Sequence, residues 1–149
     1  MALVAHYALE LHRMDVKMAF LNGDLEKNVY MAQPKGFVVE GKECMGCHLK
    51  KSIYELKQAS RQWYLKFDST IRNFGFQENV EDNCVYAKFK NGKCIFLVLY
   101  VDDILLASSD VNLLLEIKKF LSSKFDMKDL GEASFVLGIE IHRDRAKGF

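Results

Sequence analysis

Two adjacent carboxylates, Asp102 and Asp103, stand between apolar runs. Ile95-Phe96-Leu97-Val98-Leu99 leads into Tyr100-Val101, and Ile104-Leu105-Leu106-Ala107 follows. Carboxylates drawn toward an apolar interior are protonated, paired or metal-bound, because desolvating an isolated charge costs several kcal/mol or more. A divalent metal site at the tip of a β-hairpin accounts for them. Asp15 lies near the end of an earlier strand-like stretch. If that stretch pairs beside the hairpin, its carboxylate joins the other two in an oxygen-rich site for a hard cation. Mg²⁺ keeps several waters and takes one or two carboxylates plus substrate phosphates. Two such ions activate an attacking oxygen and stabilise a leaving one. The plainer alternative is an ordinary turn, since Asp tolerates turn geometry.

The elements that must position these groups are legible in outline. A short helix is expected over 2–8, then a first strand through Leu9, Leu11 and the Met14 to Val16 region, ending near Asp15. Residues 21–52 read as loop-rich with short strands, among them Val29-Tyr30-Met31. A helix over 60–74 follows from the spacing of Tyr64, Phe67, Ile71 and Phe74, with Ser60 as N-cap and Gly75 as stop. Asn91-Gly92 between apolar runs marks a two-residue hairpin, and Asp102-Asp103 turns the chain into a second. Asp110 caps a helix over 111–124 striped by Leu113, Leu114, Ile117, Phe120 and Leu121. Phe135, Leu137, Ile139 and Ile141 alternate with other residues as a last strand. The order β-α-β-β-β-α-β gives an α+β fold: an antiparallel sheet with helices packed on one face.

Composition bounds the alternatives. The 149 residues suit one domain or a fragment, and 50% hydrophobic with 28% charged residues suits a packed core. A net charge of +1 neither supports nor excludes nucleic acid as a partner. No apolar run is long enough for a membrane span, and no signal peptide is expected. Four cysteines do not suggest a disulfide scaffold, so a reducing, intracellular setting is expected. Cys44-Met45-Gly46-Cys47-His48 matches a haem-attachment pattern only formally, and no further zinc ligands stand at a suitable spacing. His6, His12 and His142 show no partner pattern.

Four blocks in order carry a resemblance. Met14-Asp15-Val16-Lys17-Met18-Ala19-Phe20-Leu21-Asn22-Gly23-Asp24-Leu25 resembles the first block of reverse transcriptases from Ty1/copia-type LTR retrotransposons. Lys51-Ser52-Ile53-Tyr54-Glu55-Leu56-Lys57-Gln58-Ala59-Ser60-Arg61-Gln62-Trp63 is similar to the second, and Tyr100-Val101-Asp102-Asp103-Ile104 to the third. Phe125-Asp126-Met127-Lys128-Asp129-Leu130-Gly131, with Leu137-Gly138-Ile139-Glu140-Ile141, is similar to the last. The resemblance spans nearly the whole chain. It implies a polymerase palm with part of the fingers over 1–149, and RNA-directed DNA synthesis from deoxynucleotides onto a primer 3′-hydroxyl.

On that resemblance Asp15 and Asp102 are the principal ligands of two Mg²⁺ (or Mn²⁺) ions, with Asp103 a supporting carboxylate and the Val16 carbonyl a further ligand. Phe20, Gln58 and Tyr100 fall to nucleotide binding. Phe20 is the ring that would exclude a ribose 2′-hydroxyl; otherwise it is a core residue. Lys57 and Arg61 fall to nucleic-acid phosphate, within a basic cluster with Lys50, Lys51 and Lys66 that also reads as a solvated helix face. The implied partners are an RNA or DNA template with primer, deoxynucleotides, and the thumb, RNase H and integrase domains of a parent polyprotein, in a cytoplasmic retroelement particle and without a membrane. The chain departs from the pattern at Glu55 for Gly, Ser60 for Pro, Met18 for Thr and Arg13 for Gln. Those departures keep a second reading open: a non-catalytic remnant or a co-opted interaction module. Another palm-like nucleotidyl enzyme would share the sheet but lack the four blocks.

Overall fold

The computed structural model describes residues 2–136 and 138–142. It divides into two compact units: Met1–Met18 with Ser69–Phe149, and Ala19–Asp68. The first contains a six-stranded sheet whose pairings among the described residues are all antiparallel. Its strands are β1 (Glu10–Val16), β4 (Gln77–Glu78), β5 (Val85–Lys90), β6 (Lys93–Tyr100), β7 (Asp103–Ser108) and β8 (Met127–Glu132). They run in the order β4-β5-β6-β7-β1-β8. The short helix α1 (Ala2–His6) precedes β1, and α3 (Val111–Lys124) links β7 to β8.

Period-two alternation sorts the sheet into two faces. Register places Met14 with Ile104, and Leu97 with Leu106 and Tyr86, on one face, and all of these are buried. Helix α3 closes that face with Leu113, Leu114, Ile117 and Leu121, and its N-terminus is capped by Asp110, which accepts from the Leu113 amide at 2.8 Å. Lys88 projects to the same face, donates to the Phe74 carbonyl and sits over the Phe74 ring, which stacks on Phe120 of α3 at 3.7 Å. On the opposite face Val4 of α1 packs with Leu9, Leu11 and Ala107.

In the second unit, β2 (Tyr30–Met31) pairs with β3 (Cys47–His48). Helix α2 (Ala59–Asn73) begins there, and the boundary between the units falls within it, after Asp68. Gly23 lies so close to α2 that an added Cβ would stand 2.9 Å from Gln62 Cβ and 3.0 Å from the Trp63 amide nitrogen.

Several expectations are corrected. Helix α2 starts at Ala59, so Ser60 is in its first turn and not its cap. Its buried stripe includes Trp63, while Tyr64 and Phe74 are only half-buried. The second hairpin turns on Val101-Asp102; Tyr100 pairs with Asp103, which opens β7. Strand β8 covers Met127–Glu132, a stretch whose pattern does not predict a strand. The alternating stretch at 135–141 is not one strand: β9 (Phe135–Val136) folds back on β10 (Ile139–Glu140), with Gly138 at φ +79° beside the turn. Leu137 lies outside the described residues. His12 does have a partner: its Nδ1 is 2.7 Å from Lys118 Nζ. The four cysteines are free thiols, and no helix among the described residues is long and apolar enough to cross a membrane.

Candidate active site

Asp15 is the penultimate residue of β1 and the direct register partner of Asp103 at the start of β7. One residue further on, the Val16 amide donates to the Asp102 carbonyl at 2.8 Å, so the Val16 peptide lies against the hairpin turn. Two segments far apart in sequence therefore meet end to end, and both half-expose their carboxylates. On the other side of β1, Asp15 pairs with Lys128 of β8. Tyr100 pairs with Asp103 and is 54% exposed, its ring beside the acidic end of the sheet.

The turn itself is strained. Val101 has φ +56°, a left-handed conformation that a β-branched side chain disfavours. By contrast, the first hairpin places Asn91 (φ +52°) and Gly92 (φ +74°) at its turn, residue types suited to that geometry. Strain of about 1–3 kcal/mol held at one residue persists where the surrounding pairing fixes it. Here that pairing is β6 against β7 and the Val16–Asp102 bond.

The carboxylates divide in their contacts. Arg13 grips Asp103 with both arms of a fork, Nε to Oδ1 at 2.7 Å and Nη2 to Oδ2 at 2.8 Å. Its Nη1 also donates to the Phe135 carbonyl at 3.3 Å. No such partner engages Asp15 or Asp102 in the described contacts. Among the described residues, no group of three His, Cys, Asp or Glu side chains is gathered closely enough to hold a metal ion. A Mg²⁺ centre draws most of its ligands from water and phosphate, so one or two carboxylates at this end of the sheet suffice for it. The sequence marks Arg13 only as a departure from the resembled pattern, a cation in place of glutamine two residues before Asp15, and gives it no role.

The remaining sequence candidates lie in the second unit. Phe20 sits in a 3-10 turn (Ala19–Asn22), half-buried, its ring 4.4 Å from that of Tyr54. Gln58 is half-buried and its carbonyl accepts from the Gln62 amide at 2.9 Å, opening α2. Lys57 and Arg61 are exposed. Lys66 is engaged by Asp24 at 3.0 Å. Glu55 is exposed and is not among the residues with positive φ, so this position does not require glycine's conformational freedom. His48 stacks on Tyr30 and meets Asn28 Oδ1 at 3.2 Å, a structural role for the residue after Cys47.

The family described as reverse transcriptase (RNA-dependent DNA polymerase) matches residues 1–148. The chain is 50% identical over 146 residues to the retrovirus-related Pol polyprotein from transposon TNT 1-94 of Nicotiana tabacum, covering 97% of this chain and 11% of that protein. It is 37% identical over 133 residues to the Pol polyproteins from transposons RE1 and RE2 of Arabidopsis thaliana, covering 89% of this chain and 9% of each. The chain thus spans about a tenth of the length of these relatives. No solved structure matches it.

Proposed function

The chain belongs to the reverse transcriptase (RNA-dependent DNA polymerase) family, as a fragment of a copia-type Pol polyprotein, and from that premise we propose that it carries the nucleotidyl-transfer centre of such an enzyme. The Met1–Met18 and Ser69–Phe149 unit serves as the palm, and the Ala19–Asp68 unit as part of the fingers. One observation carries this: the register of Asp15 with Asp103, locked by the Val16–Asp102 bond, brings two of the family's motifs to one end of one sheet.

Asp15, Asp102 and the Val16 carbonyl are the groups that would hold divalent cations. When bound, two such ions supply charge neutralisation at the phosphates and a lowered pKa at the attacking hydroxyl. The chain's own part is positioning. Strand β1 and the β6–β7 turn, tied by the Val16–Asp102 bond, hold the backbone of the two carboxylates in place, so little reorganisation is needed when charge develops. Tyr100 offers an exposed ring beside them for the nucleotide or primer end. Phe20, braced by Tyr54, is suited to limit the space at the sugar 2′ position, and Gln58 to orient the nucleotide. Lys57 and Arg61 supply phosphate contacts that set register without reading sequence. Template, primer, deoxynucleotides and the further Pol domains are the partners, and a cytoplasmic retroelement particle is the setting.

Primer extension on an RNA template with Mg²⁺ or Mn²⁺ tests this. The chain should add nucleotides to the primer, and Asp102→Asn should lower the rate by at least about 10²-fold, the scale of losing one preorganised charge-stabilising group. Equal signals from the two proteins would leave the non-catalytic remnant as the better account.

A further inference from the structure

Where the family pattern has glutamine, this chain carries Arg13, and that guanidinium takes both oxygens of Asp103. We propose that Arg13 is a positioning residue that withdraws Asp103 from cation coordination, so that this chain builds a two-carboxylate centre from Asp15 and Asp102. This deepens the nucleotidyl-transfer assignment above and rests on it.

The geometry is specific. Arg13 and Asp103 lie on the same sheet face, on neighbouring strands and diagonally offset, since Arg13 pairs with Leu105 and Asp15 with Asp103. The pair is partly shielded, with side-chain exposures of 29% and 19%. A bidentate guanidinium–carboxylate pair is among the stronger charge-assisted contacts, and its planar fork leaves the carboxylate little freedom to turn. The third arm of Arg13, on the Phe135 carbonyl, fixes the guanidinium from the other side. Asp15, directly opposite Asp103, is left without this neutralising contact. The result is a centre with one carboxylate fewer and one cation more than the three acids alone would give. Its affinity for a free divalent ion must then be low and must depend on the oxygens that a triphosphate brings.

The test is a Mn²⁺ titration of the chain, followed by the loss of the free-ion electron paramagnetic resonance signal, with and without a deoxynucleoside triphosphate. Without nucleotide, Arg13→Gln should bind Mn²⁺ about three- to tenfold more tightly than the parent, the scale expected for removing one nearby positive charge in a partly solvated site. With nucleotide the gain should shrink. Arg13→Lys keeps the charge and breaks the fork, so it should bind only about twofold tighter. That variant decides the question if Arg13→Gln fails to fold by circular dichroism. Asp102→Asn should lose most binding in either background. Unchanged or weaker Mn²⁺ binding in the folded Arg13 variants, with Asp102→Asn still defective, would overturn the role of Arg13 alone. Parent-like binding by Asp102→Asn would remove the centre itself and the role of Arg13 with it.

Discussion

Val101 holds a conformation its side chain resists, between two residues the proposed chemistry needs. The β-branched side chain at φ +56° raises the energy of the turn, yet pairing of Tyr100 with Asp103 on one side and of Val16 with Asp102 on the other leaves it no alternative. Glycine adopts such a φ without steric cost. Val101→Gly should therefore stabilise the fold by about 0.5–1 kcal/mol after allowance for glycine's greater unfolded-state entropy. A rise in the urea midpoint at constant slope would show it; a fall would mean that the Val101 side chain contributes more by contact than its backbone loses by strain. The Asp-Asp pair was visible from composition and flanking apolarity alone. Its allocation was not: the sequence places both acids in the turn, whereas cross-strand register assigns Asp102 to the turn and Asp103 to a strand. A shift of one residue changes which face a side chain takes, and nothing local sets that register.

Strand β8 shows a different limit of local pattern. Met127–Glu132 carries few apolar residues and includes a glycine, so its alternation is weak. What holds it at the sheet edge is long-range and polar. Lys118 on α3 is buried, donates to both oxygens of Asp129 at 2.8 and 2.9 Å, and meets His12 Nδ1 on β1 at 2.7 Å. Only folding brings these three together, which is why His12 looked partnerless in the sequence. Asn91-Gly92 and the stripe of α3 were legible because a turn type and a helical period are local properties. Burial first, and then the Lys118 charge, hold the His12 imidazole below its ordinary value, opposed by Asp129, Glu10 and Glu132. Burial raises the Asp129 carboxyl, but the Lys118 and Gly131 hydrogen bonds outweigh it and leave the group below the usual carboxylate range. For both groups the unfolded chain binds protons more readily than the folded one, so stability falls as pH falls. The His12 contribution is fully present above pH ~6.5 and is lost as pH drops through its lower folded value. Urea midpoints from pH 8 to pH 5 should decline, and His12→Asn should flatten that decline; an equally steep profile in the variant would remove His12 as its source. In the second unit, Gly23→Ala should cost about 1–3 kcal/mol, because the new methyl meets α2 backbone at Trp63 as well as Gln62 Cβ. A thermal melt unchanged by that substitution would mean that the 20–24 turn shifts freely away from the helix.

At the scale of the whole molecule, the proposed centre sits on a chain with little net positive charge with which to grip a duplex. Its net charge is +1, and of the basic cluster Lys66 is already engaged by Asp24, while Lys57 and Arg61 are exposed. Counterion release sets affinity for a nucleic-acid backbone, with a slope of about −0.9 in log K against log salt per phosphate neutralised on B-form DNA. With few phosphate contacts the slope should be shallow and binding weak at physiological salt. Replacing both Lys57 and Arg61 by alanine should reduce the slope by about two if each meets a phosphate. Fluorescence anisotropy of a labelled primer-template across a salt series reads this directly, and an unchanged slope would place the contacts elsewhere. Weak grip also fixes the form of any synthesis. Each addition would be followed by dissociation faster than the next, so a heparin trap added with the nucleotides should confine the product to primers lengthened by about one nucleotide, the outcome expected when release outpaces chemistry. Long products made in the presence of the trap would mean that this chain retains the duplex by itself.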